Sequence, residues 1–512
     1  MKALQILQTR VFVTATACKS PIVCNGLKRT LSTFRSLTAQ DRSVFDSMIE
    51  HVTDDPQVLS QRNTEWTKHY QGNAKLVLQP ETPEQISEIL TYCQNERLAV
   101  VPQGGQTGLV GGGVATAGAE VILSLDRLNQ IVAMDETTGI LQCQAGCILQ
   151  AVQTYAEERN YLVPIDLGAK GTCQIGGNLS TNAGGQYYYR YGSLAGNVLG
   201  LQVVLANGRI LDLNYSRPSL KDNTGYKLHQ LFLGAEGTLG VITAVALQCA
   251  TYPTSQQTAL LACETYDQVL QVLKLAKKHL SEILGALEFM DQIVVRLLLN
   301  KVSRIHLVNE DDGDAHPYYL LVETHGSNIE HDQAKMENFI TAALQEGLII
   351  NGFTAPNESA RQQMWTIRES ANPSFTAIAY GYKYDVSVPV VEWDDFITDL
   401  RQHLTQTLPS DTMWVQGNWG HILDGNIHWN LAIPGRHTLD PRVLEQVEQP
   451  LIQRVLERKG SISAEHGLGQ SKNKFLPLVH SEATLQTMRE LKQMWDPNGI
   501  LNPGKVLPPT TS

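Results

Sequence analysis

The stretch Pro102-Gln103-Gly104-Gly105-Gln106-Thr107-Gly108-Leu109-Val110-Gly111-Gly112-Gly113 constrains the fold most, because six glycines in twelve residues follow the apolar run Leu98-Ala99-Val100-Val101. A strand therefore feeds a glycine-rich loop. Without Cβ atoms, successive backbone N–H groups can converge on an anion, and glycine reaches the positive φ values that such a nest requires. The loop suits a cofactor carrying a diphosphate. Neither G-x-G-x-x-G nor G-x-x-x-x-G-K-[ST] can be laid on it, so a Rossmann or P-loop reading loses support. Taken alone, the run is equally compatible with a ligand-free surface loop.

Two further loops repeat the chemistry: Gly168 to Gly185, with Gly171, Gly176, Gly177, Asn178, Ser180, Thr181, Asn182 and Gly184, and Leu231 to Thr243, with Glu236, Gly237, Gly240, Val241 and Ile242. Thr107, Ser180, Thr181 and Asn182 add short polar groups without bulk. Around these loops, Lys75 to Leu78 reads as a strand and Pro83 to Gln94 as a helix begun by Thr82 and Pro83. Strand and helix then alternate to about residue 250, which predicts one α/β unit. Residues about 255–410 carry longer amphipathic stretches, Tyr266 to Leu280 and Ala334 to Gly347, and strands such as Tyr318 to Glu323, predicting a second, α+β domain. A closing helix from Gln486 to Trp495 precedes Leu501-Asn502-Pro503-Gly504-Lys505.

At 512 residues the chain is long for one core, and two or three domains are expected. A net charge of −11 argues against a nucleic-acid partner, and no apolar run is long enough for a membrane span. Residues 1–40 hold Lys2, Arg10, Lys19, Lys28, Arg29 and Arg35 and no acid, the composition of a mitochondrial transit peptide. The eight cysteines form no C-x-x-C pair, which fits buried thiols in a reducing compartment.

Residues that could carry chemistry lie in the second half. Gly420-His421-Ile422-Leu423-Asp424-Gly425-Asn426-Ile427-His428-Trp429-Asn430 places one histidine in a turn and then a strand with His428 and Asn430 on one face. Ser463-Ala464-Glu465-His466-Gly467 follows. Two imidazoles and a carboxylate are ligands of the kind that hold a catalytic Zn²⁺, although this spacing alone is a weak signal. Arg368 and Lys383, read alone, are ordinary surface charges.

With the three glycine loops, Asp222-Asn223-Thr224-Gly225-Tyr226 and the closing Asn502-Pro503-Gly504-Lys505 in order, the chain resembles the vanillyl-alcohol-oxidase (PCMH-type) FAD-linked oxidoreductases from about residue 45 onward, and within them the D-2-hydroxy-acid dehydrogenases. The resemblance implies an α+β fold: a two-subdomain FAD-binding domain plus a ferredoxin-like antiparallel-sheet cap over the substrate. The implied division is a transit peptide at 1–40, a helical segment at 41–72, the FAD domain at 73–252, the cap with a metal site at 253–480, and a tail at 481–512 returning to the FAD domain.

FAD is implied to lie on Pro102, Gln103, Gly104, Gly105, Gln106, Thr107, Gly108, Gly111 and Gly112, on the second and third loops as enumerated, and on Asn502 and Lys505. Gln106 stands where covalent relatives place a histidine, so FAD is expected to be non-covalent. His421, His428 and Glu465 are implied metal ligands, with zinc the first choice, and His466 the base. Asn430 orients the substrate, and Arg368, Asn372 and Lys383 receive its far carboxylate. The implied reaction is oxidation of D-2-hydroxyglutarate to 2-oxoglutarate in the mitochondrial matrix, with electrons leaving to electron-transfer flavoprotein. D-lactate is the rival substrate. Two departures from close relatives, Asn372 for threonine and Leu423 for glycine, are expected to alter the distal pocket and crowd the metal loop.

Overall fold

The computed structural model describes residues 34–299 and 316–508. Most of the expected leader, residues 1–33, lies outside them. Residues 34–40 are built into the fold instead: Arg35 pairs with Asp41 at 2.7 Å, the Leu37 N–H donates to Glu120, and Phe34 packs on the core.

The expected single α/β unit divides into two sheets. In the first, Leu76–Leu78, Val121–Ser124 and Val100–Gln103 run parallel, with Val52–Thr53 antiparallel at one edge. The second is antiparallel throughout, in the order Ile131–Asp135, Ile140–Gln144, Val241–Gln248, Val198–Val204, Ile210–Leu213. Residues that alternate apolar and polar can pair either way, and only long-range partners choose the direction. Thr82 does cap the helix Pro83–Glu96, its hydroxyl accepting the Gln85 N–H. That helix and both sheets share one core.

The cap is a seven-stranded antiparallel sheet ordered Asn351–Thr354, Ser255–Cys263, Tyr318–Gly326, Leu284–Asp291, Val415–His421, Asn426–Ala432, Gly381–Ser387. Leu287, Phe289, Ile427, Trp429 and Leu431 face the helices Tyr266–His279, Ile329–Gln345, Trp393–Thr407 and Pro441–Glu457. The expected helix from Ala334 begins five residues earlier, because Asn328 caps it through the His331 N–H. The opposite face meets Glu358–Glu369 and Ala371–Ile378 and holds the polar residues. The C-terminal segment returns to the first sheet, Val100 N–H donating to Ile500 O and Asn502 N–H to Val100 O.

Candidate active site

Strand register assembles the centre. Glu288 lies opposite His421, Asp385 opposite His428, and Lys383 opposite Asn430. Directly opposed residues share a sheet face, so four strands bring two histidines, two carboxylates, a lysine and an asparagine to one surface. The loop after Pro441–Glu457 adds Glu465 and His466. His421 proves to be the last residue of a strand rather than part of the turn.

The Nε2 atoms of His421, His428 and His466 each stand 3.8 Å from Glu465 Oε1. That is too long for hydrogen bonds and right for donors converging on a common point. The far nitrogens are held from behind: His421 Nδ1 meets Glu288 Oε1 at 2.7 Å, and Asp385 lies 3.7 Å from His428 Nδ1 and 3.8 Å from His466 Nδ1. Carboxylates behind metal-binding imidazoles fix the tautomer that points Nε2 outward. Asp385 also belongs to the compact His428, Glu465, His466 group. Its oxygens are already occupied, Oδ2 by the N–H groups of Ala464, Glu465 and His466 at 2.9–3.1 Å and Oδ1 by Asn426. It is an orienting group; of the expected donors, His428 and Glu465 belong to the compact group together with His466, and His421 joins through its 3.8 Å approach to Glu465 Oε1.

Burial pushes the His428 imidazolium down to about 3, so the ring is neutral and free to ligate. Burial opposes charge on His421 as well, but Glu288 and then Glu465 raise it well above its ordinary value. A cation at this point would replace that proton. The donor set fits a divalent metal.

This cluster opens into the cleft lined by all three glycine loops, about 570 Å³ in volume. Gly105 lets the first two loops touch, since a Cβ there would sit 2.0 Å from Thr172 O. Three buried side-chain oxygens on the cleft wall, Gln174 Oε1, Asn178 Oδ1 and Asn502 Oδ1, have no protein partner. Orphaned acceptors along a glycine-lined wall fit a large polar cofactor with hydroxyl and N–H donors.

Most of the expected cofactor residues line this cleft; Gly111, Gly171, Asn182, Gly184 and Lys505 do not. Gly111 packs on Tyr70 and Gln470, Gly171 faces Gln150, and Gly184 abuts the Glu465 carboxylate. Asn182 ends a helix in the left-handed region and accepts the Ala195 N–H, while Lys505 ties the tail to Val114 O and Thr116. Tyr226 of the Asp222–Tyr226 motif is 94% exposed, away from the cleft. Glu236 lines the cleft, but its oxygens accept the Leu468 and Gly469 N–H groups at 2.7 and 2.9 Å, clamping the loop that carries Glu465 and His466.

Arg368, Asn372, Lys383 and Asn430 also reach the cleft. Arg368 Nε donates to Glu288 Oε2 at 2.7 Å, so the guanidinium buttresses the carboxylate behind His421 as well as facing the cavity. Lys383 forms no ion pair among the described residues; its Nζ donates to Thr376 Oγ1 at 3.0 Å and lies 4.6 Å from the centre of the Trp66 ring. Asn372 Oδ1 is buried without a partner. Leu423 departs from expectation: it packs into the apolar core behind the sheet and does not crowd the metal loop. Glu288, Asp385 and Trp66 were missed, because a lone residue in a strand or loop gives no sequence signal until register and contact are known.

A two-sheet glycine-loop domain sharing one cleft with a histidine–carboxylate cluster on an antiparallel cap defines a flavoprotein oxidoreductase. Residues 74–214 match the model of a FAD binding domain and residues 252–506 that of the C-terminal domain of FAD linked oxidases. The chain is 42% identical over 476 residues to D-2-hydroxyglutarate dehydrogenase, mitochondrial, of Danio rerio, spanning 93% of this chain and 86% of that protein. It is 40% identical over 481 residues to a putative D-lactate dehydrogenase, mitochondrial, of Schizosaccharomyces pombe, spanning 93% and 89%. The solved structure of p-cresol methylhydroxylase with substrate bound superposes with a TM-score of 0.72 at 13% identity, over 93% of this chain and 99% of that one. The chain belongs to the FAD-linked oxidase family, and its cofactor is FAD.

Proposed function

We propose that this chain is a FAD- and metal-dependent dehydrogenase that oxidises D-2-hydroxyglutarate to 2-oxoglutarate. The carrying observation is that three imidazole Nε2 atoms surround Glu465 Oε1 in the cleft formed by the flavin loops, which Lys383, without an ion pair among the described residues, also lines. Names of relatives supply the substrate and the mitochondrial address.

His421, His428 and Glu465 would hold the metal. When bound, the metal supplies polarisation of the substrate's carboxylate and C2 hydroxyl, and FAD supplies the hydride acceptor. His466, the most exposed of the three imidazoles at 29%, takes the hydroxyl proton on Nε2, and Asp385 near Nδ1 stabilises the imidazolium. Asn430 orients the reacting end. Arg368 and Lys383 receive the far carboxylate, with Asn372 beside them. Gln106, whose amide donates to Arg62 O at 2.6 Å, leaves FAD untethered. The finer assignments are zinc as the metal, the matrix as compartment, and electron-transfer flavoprotein as acceptor. No described helix is long and apolar enough to cross a membrane.

Anaerobic titration with D- and L-2-hydroxy acids tests the reading. D-2-hydroxyglutarate should bleach the flavin at the lowest concentration, and indifference to it would overturn the assignment. The second reading, D-lactate, is favoured by one specific observation: Arg368 already spends its Nε on Glu288, which a monoacid enzyme would need equally.

A further inference from the structure

The segment before the FAD domain has no role in the chemistry so far, yet it reaches the cleft. Residues Asn63 to Gln71 form a strap held at both sides. Asn63 exchanges hydrogen bonds with the backbone of Ala74 at 2.8 and 2.9 Å. Glu65 Oε1 accepts the Gly111 N–H of the first flavin loop at 2.9 Å, and His69 Nδ1 meets the Tyr380 hydroxyl of the cap at 2.5 Å. Between these anchors Trp66 lines the cleft with 49% of its surface open. A large aromatic anchored on both sides and open toward a cavity is placed to meet what enters that cavity.

Its ring meets Lys383. The ammonium lies 4.6 Å from the ring centre, within cation–π range, and it donates a hydrogen bond to Thr376 Oγ1. A half-buried ammonium that makes no ion pair among the described residues, with Glu65 of the strap acting on it only from a distance, is under-satisfied, and an anion entering the cleft completes its surroundings. The indole restricts where the flexible lysine can point and screens it from water, which strengthens its attraction for that anion.

We propose that Trp66 is a specificity-determining residue that forms one wall of the distal substrate subsite and holds Lys383 in position for the second carboxylate of a diacid. The inference rests on the reading of Lys383 given above. It assigns substrate contact to a strap outside both matched domains, since Trp66 precedes residue 74.

The test uses holoenzyme with Trp66→Ala, Trp66→Phe, Lys383→Met and the Trp66→Ala/Lys383→Met double variant. Two readouts are taken: the ratio of kcat/KM for D-2-hydroxyglutarate to that for D-lactate, and binding of glutarate, a diacid without the 2-hydroxyl, from its perturbation of the flavin absorbance. Trp66→Ala should lower the ratio by about tenfold, through KM, and weaken glutarate binding to a similar degree. Trp66→Phe, which keeps an aromatic face, should stay within about threefold of wild type. The double variant should fall well short of the sum of the two single losses, because Trp66 acts largely by holding the lysine. Equal losses on both hydroxy acids, an additive double variant, or loss of bound FAD from Trp66→Ala would each overturn the proposal. Failure of wild-type enzyme to bind glutarate overturns it as well. Wild-type preference for D-lactate despite glutarate binding and the expected variant effects would instead sink only the substrate assignment.

Discussion

Lys383 illustrates what one residue can contribute and how it can be checked. Burial lowers its ammonium from the ordinary 10.5 to about 8. The charged form therefore dominates below pH 8 and is lost as pH rises through that value. KM for a diacid should accordingly climb above pH 8 while KM for D-lactate stays level, and a pH series of initial rates on both substrates checks this. Arg368 is predicted to behave differently, because its Nε supports Glu288 and through it His421. Arg368→Gln should depress both substrates and lower metal content, whereas a loss confined to the diacid would show a purely distal role. Leu423 packs in the core, so Leu423→Ala should cost about 2–5 kcal/mol of stability in a denaturation curve with metal content unchanged. The residue types at these positions were legible in the sequence. Their partners were not: nothing local in the chain says that Arg368 faces Glu288, eighty positions away.

At the scale of elements, the loop from Ser463 to Lys472 is the junction between flavin and metal. Asp385 gathers three of its N–H groups and Glu236 two more, and Gly467 adopts φ +80° against the Glu236 carboxylate. Two buried carboxylates thus shape the loop from opposite domains. Glu236→Gln removes the charge and turns an amide donor toward an N–H, so it should lower metal content and kcat while the yellow flavin colour stays. Charge-assisted hydrogen bonds of this kind are worth about 1.5–3 kcal/mol each. Loss of FAD with metal content intact would return Glu236 to the cofactor role expected from sequence. Helix starts at Thr82 and the alternation of His428 with Trp429 were legible, since caps and periodicity are local. Strand direction in the second FAD-domain sheet was not, because pairing is chosen by contacts far apart in sequence.

Over the whole molecule, the glycine loops and the proposed metal ligands line one cleft with separate residues, so flavin binding and a metal requirement should separate experimentally. Chelation should abolish flavin reduction by substrate while absorbance retains its bound-FAD shape, and full activity in metal-free protein would refute the metal requirement. Acid precipitation should release the flavin to the supernatant, because Gln106 offers no tether. A fusion of residues 1–33 to a fluorescent protein should enter mitochondria, with cytosolic fluorescence as the contrary result. The fusion stops at residue 33 because Arg35 and Leu37 bond to the folded body.

The sequence by itself determined the glycine loops, the helix caps, the apolar faces and the identity of the imidazoles and carboxylates, because each of these is a property of neighbouring residues. From them the family resemblance, the flavin and the candidate ligands followed. Only the tertiary structure decided that three Nε2 atoms meet around Glu465, that Glu288 and Asp385 stand behind them, that Gly184, Asn182 and Lys505 lie off the cleft wall, and that Trp66 reaches it from the segment before the FAD domain. These are matters of register and close approach between segments hundreds of residues apart. Their energies depend on distance in space, which a linear order of residues does not contain.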